Sequence, residues 1–148
     1  MGKSQTIQSV KGMNDILPAD QPYWQFILKK ASVILADYGF EKIDTPIIEP
    51  TQLFIRSVGE ASDIVEKEMY NFKTKGGDEL SLRPEGTAAI ARAYIEHGMS
   101  VLPHPIQLWY FGQFFRHNNP QAGRFRQFHQ LGVESFGDDN AATDAMLI

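Results

Sequence analysis

Residues 105–137 read PIQLWYFGQFFRHNNPQAGRFRQFHQLGVESFG, two aromatic-rich runs on either side of the turn NNPQAG. Alternation and β-favouring side chains predict a strand in each run, and the Pro/Gly turn folds the second back on the first. Period two divides the second arm into two faces. Phe125, His129, Leu131 and Val133 share one, expected to be core. Arg124, Arg126, Phe128, Gln130 and Glu134 share the other. The turn also gathers Arg116, so three guanidinium groups meet within one hairpin of a chain whose formal charge is -4.

Outward from this hairpin, the remaining elements fall into place. Tyr23, Phe26, Ile27, Ala31, Ile34, Leu35 and Tyr38 recur at helical spacing between Pro22 and Gly39, with Asp20 as the expected cap. FEKIDTPIIEP (40–50) reads as extended, and its proline assigns it to an edge or irregular strand. TQLFIRSVG (51–59) predicts a short helix. MYNFKTKGGDELSLR (69–83) predicts a hairpin around Gly76–Gly77. Pro84 opens a helix over GTAAIARAYIEHG that Gly98 closes, and DDNAATDAMLI (138–148) starts another from Asp138 or Asp139. With no stop signal before Ile148, that helix is expected to belong to a longer chain. Helices interleaved with hairpins predict an α+β fold, an antiparallel sheet flanked by helices.

Composition narrows the function. The 148 residues contain no cysteine, which removes disulfides and thiolate metal sites, and His97, His104, His117 and His129 lack zinc spacing. No metal site is expected. A pI near 5.5 argues against a general nucleic-acid coat protein. No apolar run reaches membrane-spanning length and the N-terminus has no hydrophobic signal core, so a cytoplasmic protein without a membrane partner is expected. There is no GxxxxGK[ST], GxGxxG or GxSxG.

The polar face of the second arm has its own chemistry. Guanidinium forks suit phosphate oxygens, and an aromatic ring beside them can stack on a base. Gln130 and Glu134 suit an ammonium or a protonatable ring nitrogen. The face fits a nucleoside triphosphate at one end and a small cationic metabolite at the other, against the plainer alternative of a solvated strand with surface arginines. RPEGT (83–87) has two readings as well. Glu85 either favours a helix N-terminus through the dipole or joins the Thr87 hydroxyl as an acceptor for an amine.

VKGMNDILP (10–18), VGEASDIVEKEMYNF (58–72), LSLRPEGTAAIARAYIEHG (80–98) and FRHNNPQAGRFRQFHQLGVESFG (115–137) together closely resemble histidyl-tRNA synthetases, from about Val10 to Ile148. The resemblance implies the class II aminoacyl-tRNA synthetase catalytic fold, here incomplete. Residues 1–148 would be the N-terminal part of that domain. It also implies a homodimeric ligase that activates L-histidine with ATP and Mg2+ to histidyl-adenylate and transfers it to tRNA(His). The Pro22 helix and GFEKIDTPIIEP (39–50) resemble motif 1, the dimer interface, and the hairpin of residues 114–134 resembles motif 2. By position, Arg116 would hold the α-phosphate as the catalytic residue, with Arg124 toward the outer phosphates. Asn118 would border the adenine and Phe128 would stack on it. Glu85, Thr87 and Gln130 would hold the histidine ammonium, and Glu134 would meet the imidazole.

Two departures stand out. Asn118 occupies the place of the glutamate in the family's Arg-x-Glu pattern, and nothing here resembles motif 3 or the anticodon-binding domain. The fragment alone is therefore expected to be inactive. The alternative is a synthetase-like regulatory subunit of ATP phosphoribosyltransferase; a pseudo-synthetase interaction domain is a third reading.

Overall fold

The computed structural model describes residues 6–59 and 62–147. Helix α1 (Gln21–Asp37) leads into β1 (Glu41–Lys42), β2 (Ile48–Pro50) and α2 (Thr51–Val58). A π turn (Ile64–Glu68) precedes the hairpin β3 (Tyr70–Lys73) and β4 (Glu79–Leu82). Then come α3 (Thr87–Glu96), a 3-10 turn (Met99–Val101), the long β5 (Ile106–Phe115) and β6 (Gln127–Phe136), and α4 (Ala141–Leu147). The class is α+β, as expected, but not wholly antiparallel. The two three-stranded sheets run β1-β5-β6 and β2-β4-β3, and β1 lies parallel to β5. Two residues of edge strand reached through a helix leave no periodic signal in the sequence.

The β5–β6 hairpin is the longest paired element, in register from Ile106↔Phe136 to Phe115↔Gln127. Residues 69–83 form the expected second hairpin. In its turn the Thr74 N–H donates to the Asp78 carbonyl and the Gly77 N–H to the Thr74 carbonyl, with Gly77 at φ +97. Arg83, just past β4, joins the two sheets. Its N–H donates to the Ile47 carbonyl, and its own carbonyl accepts from Phe115 N–H.

The core does not lie where strand alternation alone puts it. Ile90 of α3 packs with Leu108, Tyr110 and Phe114 of β5, and Phe128 and Phe136 of β6 close around them. Thus the even-numbered face of β6, expected to serve ligands, is also the helix-covered face. On the opposite face Phe125 is 41% exposed and Leu131 39%. His129 is half-buried, stacked on Phe111 at 5.5 Å and tilted against Trp24 at 4.5 Å between ring centroids. Large side chains on the even positions of β5 and the apolar flank of α3 decide which face is sealed. The β6 sequence, with aromatics on both faces, does not.

Two caps also differ from expectation. The Asp20 carboxylate caps no helical N–H and instead accepts the Leu17 N–H at 3.3 Å. At α4 the Ala142 N–H donates to Asn140 Oδ1, while Asp138 accepts from Asn140 N–H and the Thr143 hydroxyl. Helix α1 itself buries none of its residues, and Tyr23, Phe26, Ile27, Val33, Ile34 and Tyr38 all stand more than half exposed. Among the described residues no helix is long and apolar enough to cross a membrane.

Candidate functional site

The candidate residues fall into two groups along β6. Toward the turn, Arg116, Asn118, Arg124 and Phe128 line one cleft of about 540 Å³, with Asn14, Ile16, Trp24 and Gln127 opposite or beside them. Both faces of β6 contribute, so the cleft opens along the strand's edge as well as its polar face. The segment 12–16, which brings Asn14 and Ile16 to the cleft, is tied to the hairpin by the Gly12 carbonyl, which accepts the N–H groups of Arg126 and Gln127.

Within the cleft each arginine is held differently. Arg116 Nε donates to the Pro84 carbonyl at 2.9 Å, and the guanidinium lies over the Phe128 ring at 5.4 Å. That anchor fixes the stem and leaves the terminal nitrogens available to an anion. Arg124 donates to Glu68 at 3.3 Å. Arg126 turns inward, its Nε donating to the Asn118 carbonyl at 3.0 Å, so it braces the turn. Asn118 is buried, at 9% exposure.

At the other end, Glu85, Thr87 and Glu134 come together, with Gln130 on the same face of β6 opposite Gly112. The Thr87 hydroxyl donates to Glu134 at 2.7 Å. Glu85 accepts the Ala88 N–H at 3.0 Å and thereby caps α3. Glu85 thus sits at the helix N-terminus, as its plainer reading has it, and caps it directly, with its carboxylate near Glu134. Burial pushes the Glu134 carboxyl above its ordinary range; the Thr87 hydrogen bond opposes this and the neighbouring Glu85 charge adds to it.

Tyr110, a core residue of β5, also borders these acidic groups. Burial, then Glu134 and Glu85, push its phenol up to about 12. The ring sits where a Cβ on Gly86 would come within 2.4 Å of it and one on Gly132 within 2.3 Å. Two glycines therefore clear the space that lets a tyrosine reach the carboxylates. A glycine on the face of β6 expected to serve ligands, opposite a tyrosine in register, was the available signal. For Glu68 there was none, because its partner is 56 residues away.

Arg83, the arginine of RPEGT, is structural. It is buried, donates to the carbonyls of Gln113 and Thr45 at 2.9 Å each, and covers the Phe114 ring at 4.6 Å. Burial lowers its pKa while Asp44 and other neighbours oppose that shift. Among the described residues no group of three or more acidic or histidine side chains is arranged to hold a metal ion.

The arrangement is a cation-lined cleft joined by one strand face to a patch of acceptors. A family model described as histidyl-tRNA synthetase matches residues 12–148. The chain belongs to the histidyl-tRNA synthetase family. It is similar to the histidine–tRNA ligases of Dehalococcoides mccartyi strains BAV1 (54% identical) and 195 (55%), each over 141 residues covering 95% of this chain and 34% of the relative. The chain thus spans about a third of the length of these curated relatives. Apo histidyl-tRNA synthetase of S. aureus superposes with a TM-score of 0.79 at 41% identity, over 95% of this chain and 32% of that one. A Bacillus halodurans structure described as an ATP phosphoribosyltransferase regulatory subunit/histidyl-tRNA synthetase gives 0.80 at 28% identity, over 97% and 36%. The fold is that of the class II histidyl-tRNA synthetase catalytic domain.

Proposed function

We propose that the chain is the N-terminal part of the catalytic domain of a histidine–tRNA ligase. The observation that supports this most is the separation of charge along β6: Arg116 and Arg124 with Phe128 in one cleft, and Glu85, Thr87 and Glu134 gathered beyond it. In this reading ATP lies with its phosphates toward the arginines and its base toward Phe128 and Asn118. Histidine lies toward Glu85, Thr87, Gln130 and Glu134. A carboxylate oxygen of histidine attacks the α-phosphorus, the new C–O–P anhydride forms, and the bond to pyrophosphate breaks. Arg116, steadied at Nε by Pro84, would neutralise charge that grows on the α-phosphate oxygens. Acceptors at the other end would orient the ammonium and imidazole so that the carboxylate points at phosphorus. Magnesium would be carried by the nucleotide's own phosphates rather than by a dedicated protein site.

Transfer to tRNA(His), a cytoplasmic location and a homodimer follow from the same reading. The exposed apolar side of α1 supports the last of these. For the regulatory-subunit alternative, the identities weigh against it: 28% to the structure whose description includes that role, against 54% to a ligase. Histidine-dependent ATP–pyrophosphate exchange by the full-length protein tests the proposal. Exchange with histidine and not with other amino acids is expected; its absence, with ATP phosphoribosyltransferase activated instead, would overturn it. Residues 1–148 alone are expected to show no exchange above background.

A further inference from the structure

We propose that Glu68 is a positioning residue of the nucleotide cleft, fixing Arg124 and the root of the 116–126 turn as one unit. The proposal rests on the reading of Arg124 as a phosphate-binding group.

Glu68 ends the π turn and touches both arms of the hairpin turn. Its backbone carbonyl accepts the His117 N–H at 2.6 Å on the outgoing arm, and its carboxylate accepts from Arg124 Nη2 at 3.3 Å on the returning arm. The His117 ring then meets Tyr70, two residues beyond Glu68, edge to face at 5.4 Å. One residue therefore clasps the turn twice, through main chain and side chain.

The two partners differ in exposure in the way a positioning role requires. The Glu68 side chain is 16% exposed and Arg124 53%. The carboxylate is the fixed member, and the guanidinium reaches from it into open space. Arg124 also stands between two cavities: the cleft with Phe128, and one of about 300 Å³ lined by Lys67, Glu68, His117, Asn118 and Asn119. A guanidinium has five donors in a rigid fork. With Nη2 engaged on Glu68, Nε and Nη1 remain for a phosphate, and the fork's orientation is set before nucleotide arrives. Without Glu68 a long, rotamer-rich side chain would have to be ordered on binding.

The test uses the full-length protein, with Glu68→Ala, Glu68→Gln, Arg124→Ala and the Ala/Ala double variant, in histidine-dependent pyrophosphate exchange and thermal melting. Glu68→Ala is expected to raise KM for ATP about five- to tenfold, with kcat and the histidine KM within about twofold. Glu68→Gln keeps an acceptor without the charge and should recover part of that loss. The double variant should be no worse than Arg124→Ala, because the two residues act through one contact. Additive effects in the double variant, or equal losses at the ATP and histidine KM with a lowered Tm, would overturn the proposal in favour of a purely structural brace. An unchanged ATP KM in Arg124→Ala would overturn the phosphate-binding reading itself, and the proposal with it.

Discussion

The two ends of the β6 face solve opposite electrostatic problems. In the cleft, an exposed Arg124 and a half-buried Arg116 have single anchors: a carbonyl for Arg116 and a 3.3 Å carboxylate contact for Arg124. At the far end, half-buried Glu85 and Glu134 crowd against the buried Tyr110, and the carboxylates' hydrogen bonds come from Thr87 and a helix N–H rather than from a cation. Exposed cations can wait for a polyanion at small cost, since water solvates them. Clustered carboxylates in partial burial cannot, and the raised pKa of Glu134 is the sign of that. The cleft holds its arginines at single anchors, and the acidic patch lacks a bonded counter-charge, which in the proposed reading a cationic ligand would bring.

The contrast predicts where substitutions in the full-length protein should bite. Arg116→Ala should lower exchange turnover about 10²–10³-fold, the range for loss of one transition-state donor, while histidine KM changes little. A loss confined to histidine KM in steady-state kinetics would break the division between the ends. Arg83→Ala should act on stability and not on ligands. Losing a buried, charge-bearing donor to two carbonyls should cost about 3 kcal/mol in chemical denaturation, and Arg83→Lys should not restore the fork geometry. Gly132→Ala should displace the Tyr110 ring and destabilise by about 1–3 kcal/mol, with histidine KM rising more than ATP KM.

Asn118→Glu sharpens the cleft end. A carboxylate acceptor for the adenine amine is worth more than an amide, so ATP should bind about three- to tenfold tighter, with histidine affinity unchanged in separate titrations. Weaker ATP binding would leave Asn118 as a turn residue. The smallest effect concerns Glu134. Its folded-state pKa is raised, so the folded chain holds that proton more readily than the unfolded one. The resulting stability is complete below the ordinary glutamate range and is lost as pH rises through the elevated folded value. Glu134→Gln should therefore narrow or reverse a Tm deficit on the alkaline side of that window and show less pH dependence within it. Parallel melting curves of the two proteins across the window would contradict the shift.

Much of this was legible because its signals are local. The hairpin at 105–137, the Gly76–Gly77 turn and the α1 and α3 periodicities each declare themselves within a few residues, and the order of cations and acceptors along β6 follows from alternation. What stayed hidden depends on distant partners. The parallel β1–β5 pairing, the choice of sealed face by Ile90 and α3, and the Glu68–Arg124 contact are set by packing between segments far apart in sequence. Glu85 shows the limit from another side. Its sequence allows a stabiliser of the helix N-terminus or an amine acceptor; the geometry shows the first, with the same carboxylate lying near Glu134.

The position of Arg83 has a consequence for how the domain opens. Its backbone joins Ile47 to Phe115, and its side chain ties Thr45 to Gln113, so every link spans at least 30 residues of chain. None of these bonds can form within a single hairpin, and breaking them strands a desolvated guanidinium. Local fraying of either sheet therefore stops at Arg83. The two sheets are expected to come apart as one cooperative unit, with the amides of Arg83 and Phe115 exchanging only when that unit opens, which hydrogen-exchange protection at both amides would check.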